Sequence, residues 1–250
     1  MLRKNWTRDE LIVAFNLYCR IPFGRIHNRN PEIVALAKAL GRTPSALSWK
    51  LANFARLDPA LKKRAVAGAT HGGKLEQDVW EEFHGNWEAL AYTSEQLRLA
   101  LLPTSQSEEE TRNFPDGAER AALRKARVNQ GFFRAAVLAA YDGKCCVTGL
   151  AIPELLNASH ILPWKESAAN RTNPQNGLCL NALHDRAFDR GLMTISDAYT
   201  VQLSKSILKS KSLGRQALLC KYAGVKIHLP SRFHPQADFL AYHRNHIFQP

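Results

Sequence analysis

A chain of 250 residues, 45% of them apolar, is long enough to bury one large core or two modest ones. Its formal net charge of +12 points to a polyanion as partner and is unevenly spread: residues 1–74 hold 14 Lys/Arg against 4 Asp/Glu, residues 75–110 hold 1 against 9, and residues 111–250 hold 19 against 9. No apolar run reaches the roughly eighteen residues of a membrane span, MLRKNWTRDE has no signal-peptide core, and Cys19, Cys145, Cys146, Cys179 and Cys220 form no CxxC pair, which excludes a disulfide framework or zinc ribbon and fits a reducing cytoplasm.

Thr7 is placed to cap a helix from Arg8 to about Cys19, with Leu11, Ile12, Phe15, Leu17 and Tyr18 as its apolar face. Asn30-Pro31 opens PEIVALAKAL, which Gly41 ends, and Thr43-Pro44 opens SALSWKLANF. Two short helices across a Gly-containing turn, LAKALGRTPSALSWKL, resemble a helix-turn-helix whose second helix reads a major groove. With Leu47, Leu51 and Phe54 turned inward, Ser45, Ser48, Lys50 and Asn53 would face DNA, helped by Arg42 in the turn. Trihelical units also bind proteins, so composition alone leaves both readings open.

Asp58-Pro59 closes that unit, and KKRAVAGATHGGK reads as a loop. Glu76 to Leu102 is helical in pattern, with Val79, Trp80, Phe83, Trp87 and Leu90 at helical spacing and an acidic face that is either solvated or repels phosphate. PTSQSEEETRNFPDG, polar and broken by prolines, is the best boundary in the chain. AERAALRKARVNQGFFRAAVLAAY is the next helix, carrying Arg120, Arg124, Lys125, Arg127 and Arg134. There Gln130 and Arg134 either touch backbone phosphates or brace the helix.

The stretch from Tyr141 to Ser196 concentrates His, Asn and Asp. SHILPW sets His160 at the head of an apolar run that Pro163 stops, a strand turning into a loop. NRTNPQ is rich in turn formers, and Asn176-Gly177 opens a second apolar run, LCL. ALHDRAFD follows as a helix that puts Asp185 and Asp189 on one face, with Gly191 as its stop. After Asp197, TVQLSKSI and GVKIHLP read as strands and HPQADFLAYHRNHIF as a closing helix. The irregular spacing of His228, His234, His243 and His246 argues for interface or surface histidines rather than a second metal site.

The order His160, Asn176 and then Asp185 nine residues later resembles the HNH nucleases, whose ββα-metal fold sets two strands and a helix around one divalent cation. DRAFDRG resembles the HxxxHRG ending of colicin-type DNases, so the resemblance gives Asp185 and Asp189 the two ligand positions. RVNQGFFRAAVLAAYDGKCCVTGL is similar to the lead-in of bacterial restriction-type HNH proteins. On this resemblance His160 is the general base, its unperturbed pKa near 6.5 suiting the task, and Asn176 orients it. Carboxylate ligands favour Mg²⁺ or Mn²⁺. Many HNH enzymes carry Asp or His just before the base; Ser159 stands there, so the coordination sphere is completed by water, a phosphate oxygen or Ser159 itself. His184 is a neighbour in reserve, and Arg190 of the DRG ending adds a phosphate contact.

The expected fold is therefore α+β, with three parts. Residues 1–74 form a helix-turn-helix-like DNA-binding domain, 75–117 an acidic helical connector and linker, and 118–250 an HNH nuclease domain with a strand-helix extension. The expected function is metal-dependent hydrolysis of double-stranded DNA in restriction-type defence, in the cytoplasm and away from membranes, with a homodimer plausible by symmetry. The competing expectation is a non-catalytic DNA-binding regulator that keeps a weakened HNH fold.

Overall fold

The computed structural model describes residues 5–63, 72–101 and 118–250. Most of KKRAVAGATHGGK, the whole of PTSQSEEETRNFPDG and the side chain of Arg120 lie outside the described residues. The fold is α+β: helices with two small antiparallel sheets, divided into two compact units, residues 1–135 and 136–250.

The first unit is built on α1 (Arg8–Arg20). Thr7 caps it in a reciprocal box, Glu10 N donating to Thr7 Oγ1 at 3.2 Å and Thr7 N to the Glu10 carboxylate at 2.9 Å. Every residue from Glu10 to Cys19 is buried, so α1 has no solvent face, whereas its sequence suggests a single apolar stripe. The cause is the number of helices around it. Next come α2 (Pro31–Ala39), α3 (Pro44–Leu57), the short α4 (Pro59–Lys63), α5 (Lys74–Phe83) and α6 (Trp87–Leu101). Of these, α3, α5 and α6 pack on α1, and the Phe15 ring lies 4.8 Å from Phe54 and 5.0 Å from Trp80.

The helix expected from Glu76 to Leu102 is two helices, because Gly85 takes φ +94 and reverses the chain between them. Val79, Trp80, Phe83, Trp87 and Leu90 are buried, which makes α5 and α6 core elements of the first unit rather than a separate connector. Asn30 caps α2, Thr43 caps α3, and Gly41 at φ +61 makes the turn between them. Finally α7 (Ala118–Ala140) starts in this unit, where Phe132 stacks on Trp87, and ends in the second.

In the second unit β1 (Leu156–His160) pairs antiparallel with β2 (Gly177–Asn181), Leu156 opposite Asn181 and His160 opposite Gly177. The strand thus ends at His160, where the sequence suggests it begins. Ile161 adds one more ladder bond, to the Asn176 carbonyl at 2.9 Å, and Pro163 prevents continuation. From Asn181 the chain enters α8 (Ala182–Asp189), which packs across both strands.

Then β3 (Met193–Ile195) pairs with β4 (Val201–Leu203). The rest of TVQLSKSI is α9 (Lys205–Lys209), capped by Ser204, followed by α10 (Arg215–Leu218), and GVKIHLP contributes a single bridge, Lys226 to Thr200. The closing helix α11 (Ala237–His246) packs on β3. No helix among the described residues is long and apolar enough to cross a membrane.

Candidate active site

At both ends of α8 the sequence dictates the conformation. Asn181 Oδ1 accepts from His184 N at 2.9 Å, which starts the helix. Gly191 ends it at φ +66, with Gly191 N bonded to Phe188 O and Leu192 N to Ala187 O, both at 2.9 Å. A Cβ at Gly191 would overlap the Ile247 carbonyl, so only glycine fits.

This helix presents Asp185 and Asp189 one turn apart. Asn157 of β1 donates Nδ2–H to Asp185 Oδ2 at 2.7 Å and fixes the first carboxylate against the hairpin. Among the described residues neither acid forms an ion pair. The Asp189 carboxyl is exposed at its tip, yet partial desolvation and then the charge of Asp185 push its pKa up, against the pull of Arg186 and Arg190. Two acidic side chains one turn apart are thus held on one face, and neither is in an ion pair among the described residues.

His160 closes β1, three residues and roughly 10 Å of strand beyond Asn157. Its Nε2 lies 2.9 Å from the carbonyl oxygen of Arg171, and the ring meets Trp164 edge-on at 5.6 Å. A carbonyl only accepts, so Nε2 carries the hydrogen and the neutral ring keeps its lone pair on Nδ1. Burial pushes the imidazole's pKa below the ordinary histidine value, with the Arg171 carbonyl working in the opposite direction. A ring that is neutral at pH 7, with a fixed tautomer, is suited to accept a proton.

The role expected for Asn176 is indirect. Its side chain does not hold the imidazole; the backbone carbonyl of Arg171 does. Buried to 1% exposure, Asn176 accepts from Leu162 N at 2.7 Å and donates to Leu162 O at 3.3 Å and Asn170 O at 3.1 Å. It therefore ties the start and end of the 161–176 loop together and presents the Arg171 carbonyl to His160. Arg171 Nε donates to Trp164 O at 2.9 Å and closes the same loop.

The two reserve residues sit elsewhere. His184 is buried at 2% exposure with its ring edge-on to Tyr222 at 5.2 Å, so it is part of the packing beneath α8. Ser159 is 3% exposed and its Oγ has no hydrogen-bond partner among the described residues. Among the described residues no group of three or more His, Cys, Asp or Glu side chains is arranged to hold a metal. Of the tail histidines, His243 corrects the surface reading: it is 1% exposed, stacked on Phe188 at 3.6 Å, with Nδ1 2.8 Å from Thr194 Oγ1 and Nε2 3.1 Å from Phe188 O.

The residues expected to read DNA in the first unit are largely turned to other uses. Leu47, Leu51 and Phe54 face the core as expected. Arg42, however, forms a buried pair with Glu10 at 2.8 Å and donates to Asn5 O at 2.6 Å, its guanidinium over the Trp6 ring. Lys50 pairs with Glu76, and Asn53, 7% exposed, donates to the same carboxylate at 2.9 Å. Burial alone would raise the Glu76 carboxyl; these two donors outweigh it and hold its pKa low. Ser48 Oγ is buried without a partner among the described residues, while Ser45 is exposed and accepts from Asn28 Nδ2 at 3.1 Å. Arg134 and Arg190 are both exposed. Asn157 is the site residue that sequence reasoning missed; its bond to Asp185 crosses from strand to helix, and no spacing in the sequence marks it.

Residues 145–196 match the family model described as HNH endonuclease, a span that contains His160, Asn176, Asp185 and Asp189. None of the curated proteins matches the chain.

Proposed function

We propose that the chain, whose residues 145–196 match the family model described as HNH endonuclease, is a metal-dependent DNA endonuclease in which His160 is the general base and Asp185 and Asp189 hold the cation. One observation carries the reading: two carboxylates with no ion pair among the described residues lie on the helix that packs against the strand ending in a neutral, backbone-anchored imidazole. The carboxylates fit a hard divalent cation, Mg²⁺ or Mn²⁺, which is bound through one or two acids, water and substrate phosphate rather than by an all-protein cage. That fit also explains a site with fewer than three clustered protein ligands. Bound there, the cation supplies charge stabilisation to the phosphate and the leaving oxygen.

The protein's own part is proton handling and position. His160 Nδ1 takes a proton from water as the water oxygen bonds to phosphorus and the P–O bond to the leaving strand breaks. Protonation of Nδ1 leaves Nε2–H on the Arg171 carbonyl, which favours the cationic ring as it forms. Asn157 holds Asp185 in place, and Asn176 keeps the Arg171 carbonyl where the base needs it. Restriction of foreign DNA is the role supported by the resemblance of the RVNQGFFRAAVLAAYDGKCCVTGL lead-in to restriction-type proteins.

A second reading, a DNA-binding protein that has lost cleavage, is favoured by Ser159 at the usual acidic position and by the sparse ligand set. Plasmid cleavage with Mg²⁺, with Mn²⁺ and with EDTA, on wild type and His160→Ala, separates the two. Metal-dependent cutting that His160→Ala abolishes supports the enzyme; binding without cutting under any metal supports the regulator.

A further inference from the structure

Along the whole of α3 only Ser45 and Trp49 are exposed, one helical turn apart on the same face. Trp49 is 66% exposed, the most accessible aromatic among the described large apolar side chains. The neighbouring positions with obvious DNA chemistry are withdrawn, Lys50 and Asn53 onto Glu76. Glu76 lies on α5, the helix that also buries Val79, Trp80 and Phe83.

Beside this face runs the loop before α2. Asn28 Nδ2 donates to Ser45 Oγ at 3.1 Å, which fixes the loop to the start of α3. Arg25 and Arg29 flank Asn28 and are exposed, and neither guanidinium has an ion pair among the described residues. An exposed indole one turn from the serine that anchors an arginine-bearing loop brings together apolar area, a ring N–H donor and charge opposite to phosphate. Residues 1–135, the whole of the first unit, hold 21 Lys/Arg against 15 Asp/Glu, so the field there is positive but modest and the local arginines matter more than the total.

We infer that Trp49, together with Arg25 and Arg29 of the loop anchored to Ser45, is the duplex-DNA contact of the first unit. The inference rests on the DNA endonuclease reading for its partner, and it moves the contact away from Arg42, Lys50 and Asn53. Trp49 packs against sugar and base edges in a groove, and the two arginines hold the flanking phosphates.

The test is fluorescence anisotropy of the full chain on a labelled duplex across a salt series, in EDTA so that no cutting is needed. Trp49→Ala is expected to weaken duplex binding about tenfold or more while leaving the salt slope unchanged. Arg25→Ala and Arg29→Ala are each expected to lower the slope by about one. Thermal melting of all three is expected to match wild type, since each side chain is exposed.

Wild-type affinity in Trp49→Ala overturns the inference, as does a wild type that does not bind the duplex. An equal loss on a single strand of the same sequence overturns the duplex assignment. Failure of the nuclease reading shows separately, as a lack of cutting, because anisotropy does not depend on it.

Discussion

Asn157 on the first strand of the hairpin donates to Asp185 on the helix that follows it, Nδ2 to Oδ2 at 2.7 Å. This bond crosses from strand to helix and fixes the orientation of one carboxylate while leaving its other oxygen for a cation. Groups behind a metal ligand commonly set its affinity by one to two orders of magnitude. Asn157→Ala is therefore expected to raise the Mg²⁺ concentration for half-maximal cleavage by about tenfold, with little effect on the rate at saturating metal. Asn157→Asp, which adds a charge and removes the donor, is expected to do worse. Cleavage rate against Mg²⁺ concentration measures both.

For His160 the expected effect falls on chemistry and not on binding. A positioned general base contributes on the order of 10²- to 10⁴-fold, so His160→Ala is expected to lose that much in single-turnover cleavage while keeping its affinity for DNA. The pH profile follows from the lowered pKa. The base acts in its neutral form, so the rate rises with pH through a value below the ordinary 6.5 and is level above it. A limb centred well above 7 would exclude His160 as the base.

Asn176→Ala tests the loop and the base together. The substitution removes three hydrogen bonds and leaves Leu162 N and the Asn170 carbonyl without those partners in a half-buried setting. Each orphaned group costs about 1–3 kcal/mol, so the second unit is expected to melt lower and cleavage to fall further than stability alone explains. Asn176→Asp is expected to be as harmful, since a carboxylate would face two carbonyl oxygens. Melting followed beside cleavage below the transition separates the two effects.

Much of the site was legible because it is local. The asparagine and glycine that start and stop α8, and the i, i+4 spacing that pairs Asp185 with Asp189, depend on neighbours in sequence. Where β1 ends was not legible from apolar pattern, because the register with β2 decides it: the polar LNASH pairs and the apolar ILP leaves the ladder. The partner of the His160 ring was hidden because it is a main-chain carbonyl in a loop, which side-chain identity does not mark. In the first unit Lys50 and Asn53 have the composition of a DNA-reading face, yet Glu76, 23 residues beyond Asn53, claims both. Spacing predicts which residues share a helix face; it does not predict which distant acid will cover that face.

Arg42 and Glu10 give the matching stability prediction. Their side chains are 8% and 7% exposed and 2.8 Å apart, so removing one takes the opposite charge from a buried group that keeps its other bonds, from Thr7 N to Glu10 or from Arg42 to Asn5 O. Breaking a buried pair of this kind costs about 3–5 kcal/mol. Arg42→Ala is expected to lower the urea midpoint of the first unit by that order, as is Glu10→Ala, and the double variant to recover part of the loss. A variant that weakens DNA binding at unchanged urea midpoint would return Arg42 to the DNA-contacting surface.

His243 predicts where acid acts on the second unit. Burial pushes its pKa from 6.5 to about 4, against the help of the Phe188 carbonyl and with Arg244 adding to the depression. The unfolded chain binds this proton more readily than the folded one, so stability from this group is complete above about pH 6.5 and is lost as pH falls toward about 4. Full loss over that interval is about 3 kcal/mol, at 1.36 kcal/mol per pKa unit. The ring joins α11 to both β3 and α8, stacked on Phe188 and bonded to Thr194, so its protonation should loosen the packing behind the candidate metal ligands. His243→Phe keeps the ring stack, removes the titration and sacrifices the bond from Thr194. It is expected to start less stable at pH 7.5 and to show a flatter decline between pH 6.5 and 4 than wild type. Parallel declines in the two proteins would place the acid sensitivity elsewhere.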